Sequence, residues 1–303
     1  MNIFITGAAG YLGSAVAVAL LQHGHRVDAL VRSDDGARRV ERIGAMAIRG
    51  DLGNPTSYLA RAQAADAIVH CAFEYLGDGS EHWQLDVMAS LALLRAARHG
   101  GMRFVYTSNA YLPSIDDERC VGEPEGADAS SAPHHWRLGL ERNLIDEGRD
   151  VRVSIVRPGM VHGGQGGGTI ADLFDTARRC RVLPYSAERA TNRWSLIHLD
   201  DIAALYAAIL ARDASGIFHA VDERAPSVES VAGAIASACG AKAVAMSSGE
   251  AARHLSAHTI EIMRHDVALV APRSRALDWH PRAADFVAGA SAACARILPG
   301  ARS

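Results

Sequence analysis

Thr6-Gly7-Ala8-Ala9-Gly10-Tyr11-Leu12-Gly13 follows the apolar run Ile3-Phe4-Ile5 and leads into an amphipathic stretch that begins near Ser14. Glycines at these three spacings suit a strand-to-helix turn that holds a pyrophosphate. Gly7 permits the tight turn, Gly10 lets the backbone approach the phosphates, and Gly13 lets the helix pack close to the strand. The free N–H groups and the positive end of the helix dipole then face the negative charge. Glycine also collects in turns for purely conformational reasons. Here the context argues for a nucleotide turn: a strand before, a helix after, and a second apolar run, Arg26–Val31, at the expected distance.

Working outward, apolar β-rich runs recur at Asn2–Ile5, Arg26–Val31, Ala45–Ile48, Ala67–His70, Phe104–Tyr106, Val151–Val156 and Gly216–Val221. Helical patterns lie between them, most clearly at Ala15–Gln22, Trp83–Arg98 and Leu138–Ile145. Such alternation predicts parallel βαβ units with right-handed crossovers, hence an α/β fold with a doubly wound parallel sheet. Pro113–Pro133, rich in Asp, Glu, Pro, Gly and Ser, reads either as a solvated loop or as the rim of an active site. Gly163–Gly168, five glycines around Gln165, reads as a hinge-like segment near the carboxyl edge of the sheet. A helix over Val228–Cys239, capped by Ser227, and a final helix near Ala283–Ile297 suggest a smaller lobe on the substrate side. The expected division is residues 1–160 as the dinucleotide-binding part and 161–303 as a mixed part that completes the sheet and forms that lobe.

Composition narrows the function. Hydrophobic residues make up 49% and charged residues 21% of the 303, and the formal charge is −3. That balance predicts a globular protein without a nucleic-acid or anionic-membrane surface. No apolar run is long enough to span a bilayer. Cys71, Cys120, Cys180, Cys239 and Cys294 are scattered and lack CxxC spacing, which reads as free thiols in a reducing cytoplasm without a zinc site. No histidine pair has metal-ligand spacing with a third partner, and there is no G-x-S-x-G elbow, so neither a metal nor a serine-hydrolase mechanism is expected.

The end of the second strand bears on which dinucleotide is held. A carboxylate there accepts from a ribose 2′-hydroxyl, whereas an arginine welcomes a 2′-phosphate. Val31 stands in that slot with Arg32 and Ser33 next, which favours NADP(H); the other reading of Arg32 is a solvated strand-end charge. Asp51, after the third strand, can accept from the adenine amino group, cap the helix near Pro55, or do both. His70-Cys71-Ala72 places small residues where a cofactor would lie flat on the backbone.

The TGxxGxxG turn, Asp51-Leu52, Val105-Tyr106-Thr107-Ser108, Arg157-Pro158-Gly159, Trp194–Asp201 and Leu277-Asp278-Trp279-His280-Pro281 together resemble the extended short-chain dehydrogenase/reductase superfamily, the NAD-dependent epimerase/dehydratase group. The resemblance spans essentially the whole chain. It implies a Rossmann sheet, a pyridine-nucleotide cofactor, a small-molecule substrate and a homodimer formed through helices beside the sheet. It also implies cofactor contacts from Gly7, Gly10, Tyr11, Leu12, Gly13, Arg32, Asp51, Leu52, Ala72, Thr107, Arg137 and Pro158.

The catalytic set departs from the family. Its members use a Ser or Thr, a Tyr acting as acid/base, and a Lys four residues later that holds the nicotinamide ribose and lowers the Tyr pKa. No YxxxK occurs in the window where it belongs, and no tyrosine lies between Tyr111 and Tyr185. Anchoring the helix register on Glu141, which resembles a family glutamate four residues past the Lys, puts Arg137 in the Lys slot and Pro133 in the Tyr slot. Arg137 can hydrogen-bond ribose and phosphates with its five donors but cannot shuttle protons. His134 and His135 sit beside the vacant slot, where they either transfer a proton or merely cover the helix start. The family hydroxyl aligns with Asn109 by one count and with Ser108 by a one-residue shift. His162, in the RPxxxYG-like segment, is a second candidate acid or a loop donor, and His198 reads as packing and capping before Asp200-Asp201. The functional expectation is an oxidoreductase, or a related epimerase/dehydratase, acting on a small carbonyl or alcohol. The missing Tyr and Lys support the alternative of a non-catalytic NADP(H)-binding regulator or redox sensor.

Overall fold

A computed structural model of the chain describes residues 1–73, 83–110, 122–123, 135–283 and 285–297. The first half alternates β1 (Asn2–Thr6), α1 (Tyr11–Gln22), β2 (Arg26–Val31), α2 (Asp34–Arg42), β3 (Met46–Arg49), α3 (Leu59–Gln63), β4 (Ala67–His70), α4 (Trp83–Arg98), β5 (Arg103–Thr107), α5 (His135–Glu147) and β6 (Arg152–Pro158). There follow β7 (Met160–His162), α6 (Gly168–Cys180), β8 (Val182–Ser186), β9 (Leu196–His198), α7 (Leu199–Ala211), β10 (Gly216–Ala220), α8 (Val228–Ala238) and β11 (Lys242–Met246). The chain closes with α9 (Ser248–Ala251), α10 (Ala257–Met263), α11 (Pro272–Arg275) and α12 (Phe286–Arg296).

Seven strands form a parallel sheet in the order β3-β2-β1-β4-β5-β6-β10. The central strands read as continuous apolar runs because both faces are covered. Ile3 and Ile5 of β1 enter the core with Val16, Leu20 and Tyr206 on the α1/α7 face. Phe4, one residue out of phase, enters the opposite core with Ile68, Leu93 and Phe104 and stacks on Tyr58 at 6.0 Å. The strand order reverses between β1 and β4, and ligand crevices of such sheets open at the carboxyl ends of the strands at that point.

β10 returns the chain to the main sheet beside β6, so the later part of the sequence contributes to both layers. The remaining strands form two small pairs, β8–β11 and β7–β9, with α8 packed on the former. The late Leu277–Pro281 segment is fastened to the start of α7: Trp279 Nε1 donates to the Asp201 carbonyl at 2.8 Å, and the Asp201 carboxylate accepts from Arg282 and Ala283 N–H at 2.9 and 3.0 Å.

Two segments differ from their sequence readings. Gly163–Gly168 is packed. Tyr11 Oη donates to the Gly163 carbonyl at 2.8 Å, and a Cβ added at Gly167 would lie 2.6 Å from Tyr11 Cδ1. Gly167 thus serves close approach to Tyr11, Gly163 packs on His198 and Gly166 on Ile297, and Gly168 opens α6. Within Pro113–Pro133, only residues 122 and 123 are described, and Glu123 is fully buried. Its carboxylate accepts from the Arg273 and Ser274 N–H groups of α11 and from His219 N–H, at 3.1, 3.1 and 3.4 Å. That point of the loop is an anchor on α11 and β10, not a solvated surface.

Candidate functional site

The turn between β1 and α1 is built around its glycines. Gly7 has φ +78°, and a Cβ there would meet Ala72 N at 2.6 Å, so only glycine lets β1 and β4 approach at the switch point. A Cβ on Gly13 would strike the Gly7 carbonyl, which holds the first turn of α1 against the loop. Gly10 caps α1 with no side-chain hydrogen bond, and the first turn carries no acid. The helix N-terminus thus keeps donors and positive dipole for an external anion. Thr6 ties the diverging strands together: its Oγ1 lies 2.6 Å from His70 Nδ1 and accepts from Ala72 N–H at 3.2 Å.

A cavity of about 890 Å³ runs from this turn along the carboxyl edge of the sheet. Gly7, Gly10, Tyr11, Leu12, Gly13, Arg32, Asp51, Leu52, Ala72, Thr107, Ser108, Arg137 and Pro158 all line it. His134 lies outside the described residues, as does Pro133. His135 is the first residue of α5, and its side chain is not described.

At one end of the cavity, Arg32, Ser33, Gly36 and Arg39 come together. Ser33 is the N-cap of α2, its Oγ accepting from Gly36 N–H at 3.1 Å. The nearby acids are held by arginines, Asp34 by Arg49 and Asp35 by Arg39 at 2.8 Å. Asp51 closes an Asx turn, its Oδ1 accepting from Gly53 N–H at 2.7 Å. The short helix at Pro55–Ser57 is headed by Asn54 without a side-chain cap, which corrects the helix-capping reading of Asp51.

At the other end the backbone of β5 presents two hydroxyls of different standing. Thr107 Oγ1 lies 2.7 Å from Tyr206 Oη and 3.4 Å from Cys71 Sγ, so it is spent on internal contacts. Burial pushes the Cys71 thiol up to about 11, leaving it an inert wall of the cavity. Ser108 Oγ is buried and has no hydrogen-bond partner among the described residues. Arg137 lines the same cavity, its Nη1 3.4 Å from the Thr107 carbonyl and 3.4 Å from Tyr106 Oη. The guanidinium carbon stands 4.2 Å from the Phe73 ring centre and 4.7 Å from that of Trp136, two rings that stack on each other at 6.2 Å. Cation–π contact and burial therefore hold Arg137 in one place.

Behind Arg137 runs a buried polar chain. Tyr106 Oη donates to Asp86 Oδ2 at 2.7 Å, and Asp86 Oδ1 faces His70 Nε2 at 3.2 Å. Burial keeps the Tyr106 phenol protonated, its pKa raised well above the ordinary value. This chain reaches back to Thr6 and supports the floor of the cavity from the strand side.

His162 corrects an expectation. It lines a second cavity of about 770 Å³ with His198, Trp279 and Phe286, and its ring meets Phe286 edge-on at 4.9 Å. Burial first, then His198 and Arg224, lower its pKa to about 3. It is a neutral packing residue set apart from the cofactor cavity, because β7 turns its side chain toward α7 and α12. His198 Nδ1 accepts from Asp200 N–H at 3.2 Å at the start of α7, as its capping role requires. Sequence reasoning missed His258, which α10 brings to the wall of the main cavity, and the Phe73–Trp136 pair around Arg137.

Residues 3–220 match the family model of the NAD dependent epimerase/dehydratase family. The chain belongs to that family. An uncharacterized protein of Saccharomyces cerevisiae is 27% identical over 288 residues, which cover 93% of this chain and 95% of that protein. The ceramide reductase of Caulobacter vibrioides is 30% identical over 225 residues, 73% of this chain and 65% of that enzyme. Among solved structures, Thermus thermophilus UDP-glucose 4-epimerase in complex with NAD shares the fold with a TM-score of 0.77 at 18% identity, covering 98% of this chain and 99% of that one. The glycine turn between β1 and α1 lies within the matched residues.

Proposed function

We propose that the chain is an NADP(H)-dependent oxidoreductase acting on a small organic carbonyl or alcohol. One observation carries the reading: an unpartnered, buried Ser108 hydroxyl and a fixed Arg137 guanidinium both stand on the wall of the cavity that starts at the glycine turn. The cradle of Gly7 and Gly13 and the acid-free N-terminus of α1 fit a pyrophosphate. When bound, the nicotinamide supplies or takes up hydride. Ser108 Oγ–H donates to the substrate oxygen, and Arg137 holds ribose hydroxyls or the negative charge that develops on that oxygen. Arg137 keeps its proton. Proton transfer falls to a histidine: His258 of α10 lines the cavity, and His134 and His135 are the candidates named from the sequence. Separate alanine variants of the three distinguish them, and full activity in all three would exclude a histidine acid.

Ser108→Ala is expected to lower kcat by about 10²-fold, the usual cost of one oxyanion donor, with little change in NADPH affinity. Consumption of NADPH with a panel of ketones and aldehydes checks this; a wild-type rate in the variant would overturn the assignment.

Arg32, with Arg39 beside it, supports NADP(H) over NAD(H). Arg32→Ala should weaken NADPH binding by about tenfold or more, the worth of one charge-assisted contact, and leave NADH binding nearly unchanged. Equal loss for both would contradict the preference. Exposed Trp83 and Met88 on α4 and Ile145 on α5 support a homodimer through these helices. Met88→Asp should shift the sedimentation of the protein from dimer to monomer, and a monomeric wild type would exclude the dimer.

A further inference from the structure

We propose that Cys239 and Cys294 are a modification site, a thiol pair that closes to a disulfide in the presence of a small-molecule disulfide. Cys239 caps the C-terminus of α8, and Cys294 stands in the last turn of α12. Their sulfurs lie 3.5 Å apart across two closely packed helices, and both side chains are partly accessible. Rotation about the Cα–Cβ bonds by a fraction of a rotamer step brings sulfurs at that separation toward the ~2.05 Å of a bond.

The surroundings assign different roles to the two thiols. Arg178 of α6 donates to the Ile297 carbonyl at 2.9 Å and to the Cys294 carbonyl, and these contacts fix its Nη2 at 3.2 Å from Cys294 Sγ. The contact puts a fixed positive charge beside Cys294 Sγ, the sulfur that attacks first. Cys239 Sγ points at the Phe174 carbonyl at 3.9 Å, and burial, with Cys294 opposite, pushes its thiol up, so it is the sulfur that attacks second.

The Cys294 thiolate attacks one sulfur of a low-molecular-weight disulfide, forms a mixed disulfide and expels one small thiolate. Cys239 then gives its proton to that thiolate and attacks Cys294 Sγ, expelling the second small thiolate, which takes a proton from solvent. Two protein thiols are oxidised, and one small disulfide is reduced to two thiols.

The bond joins positions 55 residues apart and ties α12 to α8. Through Arg178 and the Phe174–Phe286 contact it also braces α6, whose N-terminus lies at the cavity wall over Tyr11. Oxidised glutathione added to the full-length protein, followed by alkylation and non-reducing peptide mapping, tests the site. The expected result is a Cys239–Cys294 cross-linked peptide, a melting temperature raised by roughly 5–15 °C, and reversal by dithiothreitol. Cys239→Ser should instead stop at a mixed disulfide on Cys294, and Arg178→Gln should slow the first step about tenfold. Overturning results are two separately alkylated cysteines in oxidised wild type, a stable mixed disulfide on Cys294 without closure, or cross-linking of either residue to Cys71 or Cys180.

Discussion

Glu141→Ala is expected to lower the unfolding free energy by about 3–5 kcal/mol, the cost of leaving one member of a buried ion pair without its partner. Arg157 and Glu141 are 1% and 2% exposed, and the carboxylate accepts from the guanidinium at 2.6, 3.1 and 3.1 Å. Arg157 Nη1 already has no partner among the described residues, so removing the carboxylate strands the whole cation between α5 and β6. The same charge helps depress His219 to about 3, second to burial. A fall in melting temperature of about 5–10 °C by calorimetry would accord with this. The double variant Glu141→Leu/Arg157→Met should recover most of the loss, because an apolar pair of similar size does without the desolvation of two charges. If Glu141→Ala melts within a degree of wild type, the pair contributes nothing of this kind.

Arg137→Ala is the second large effect. It should reduce kcat/KM by about 10²–10³-fold, the range for loss of one charged donor in a site that excludes water. Global stability should change far less, since Arg137 faces the cavity and its guanidinium is braced by Phe73 and Trp136. Arg137→Lys separates charge from shape. Lysine restores the residue type of the YxxxK pattern but loses the planar fork and the stack on both rings. We expect partial activity from it, intermediate between alanine and wild type. Activity equal to wild type in the alanine variant would remove Arg137 from the site.

The parts of the fold legible in the sequence were those written in local patterns. β2, β4 and α4 match their expected spans residue for residue, because each is a bounded apolar run or an amphipathic stretch. α1 begins earlier than expected, at Tyr11, since its first turn is the glycine segment itself. α2 carries no apolar stripe: Asp34–Arg42 is strongly polar, buries only Gly36 and Val40, and is marked in the sequence by its Ser33 cap, the acids of its first turn and the arginines of its last. α6 was hidden because its first residue is the last of five glycines, and helix signals read from propensity point away from glycine.

The glycine turn at one end of the cavity was also legible, since such a turn is a local device. The arrangement at the other end was not. Arg137 was reachable only through the register set by Glu141. The distinction between Thr107 and Ser108 depends on Tyr206 and Cys71, contacts 99 and 36 residues away. His162 looked like a candidate acid from its motif, yet the direction of a side chain leaving β7 is a tertiary fact. His258 carried no motif at all; α10 alone brings it to the cavity.

The most direct test is NADPH oxidation by purified protein against a panel of ketones and aldehydes, with Ser108→Ala and Arg137→Ala assayed beside wild type. Turnover is expected in wild type with at least one carbonyl class, with a loss of about 10²-fold or more in both variants and unimpaired NADPH binding by Ser108→Ala. Tight NADPH binding with no carbonyl consumed by the wild type, or variants that turn over as fast as wild type, would contradict it.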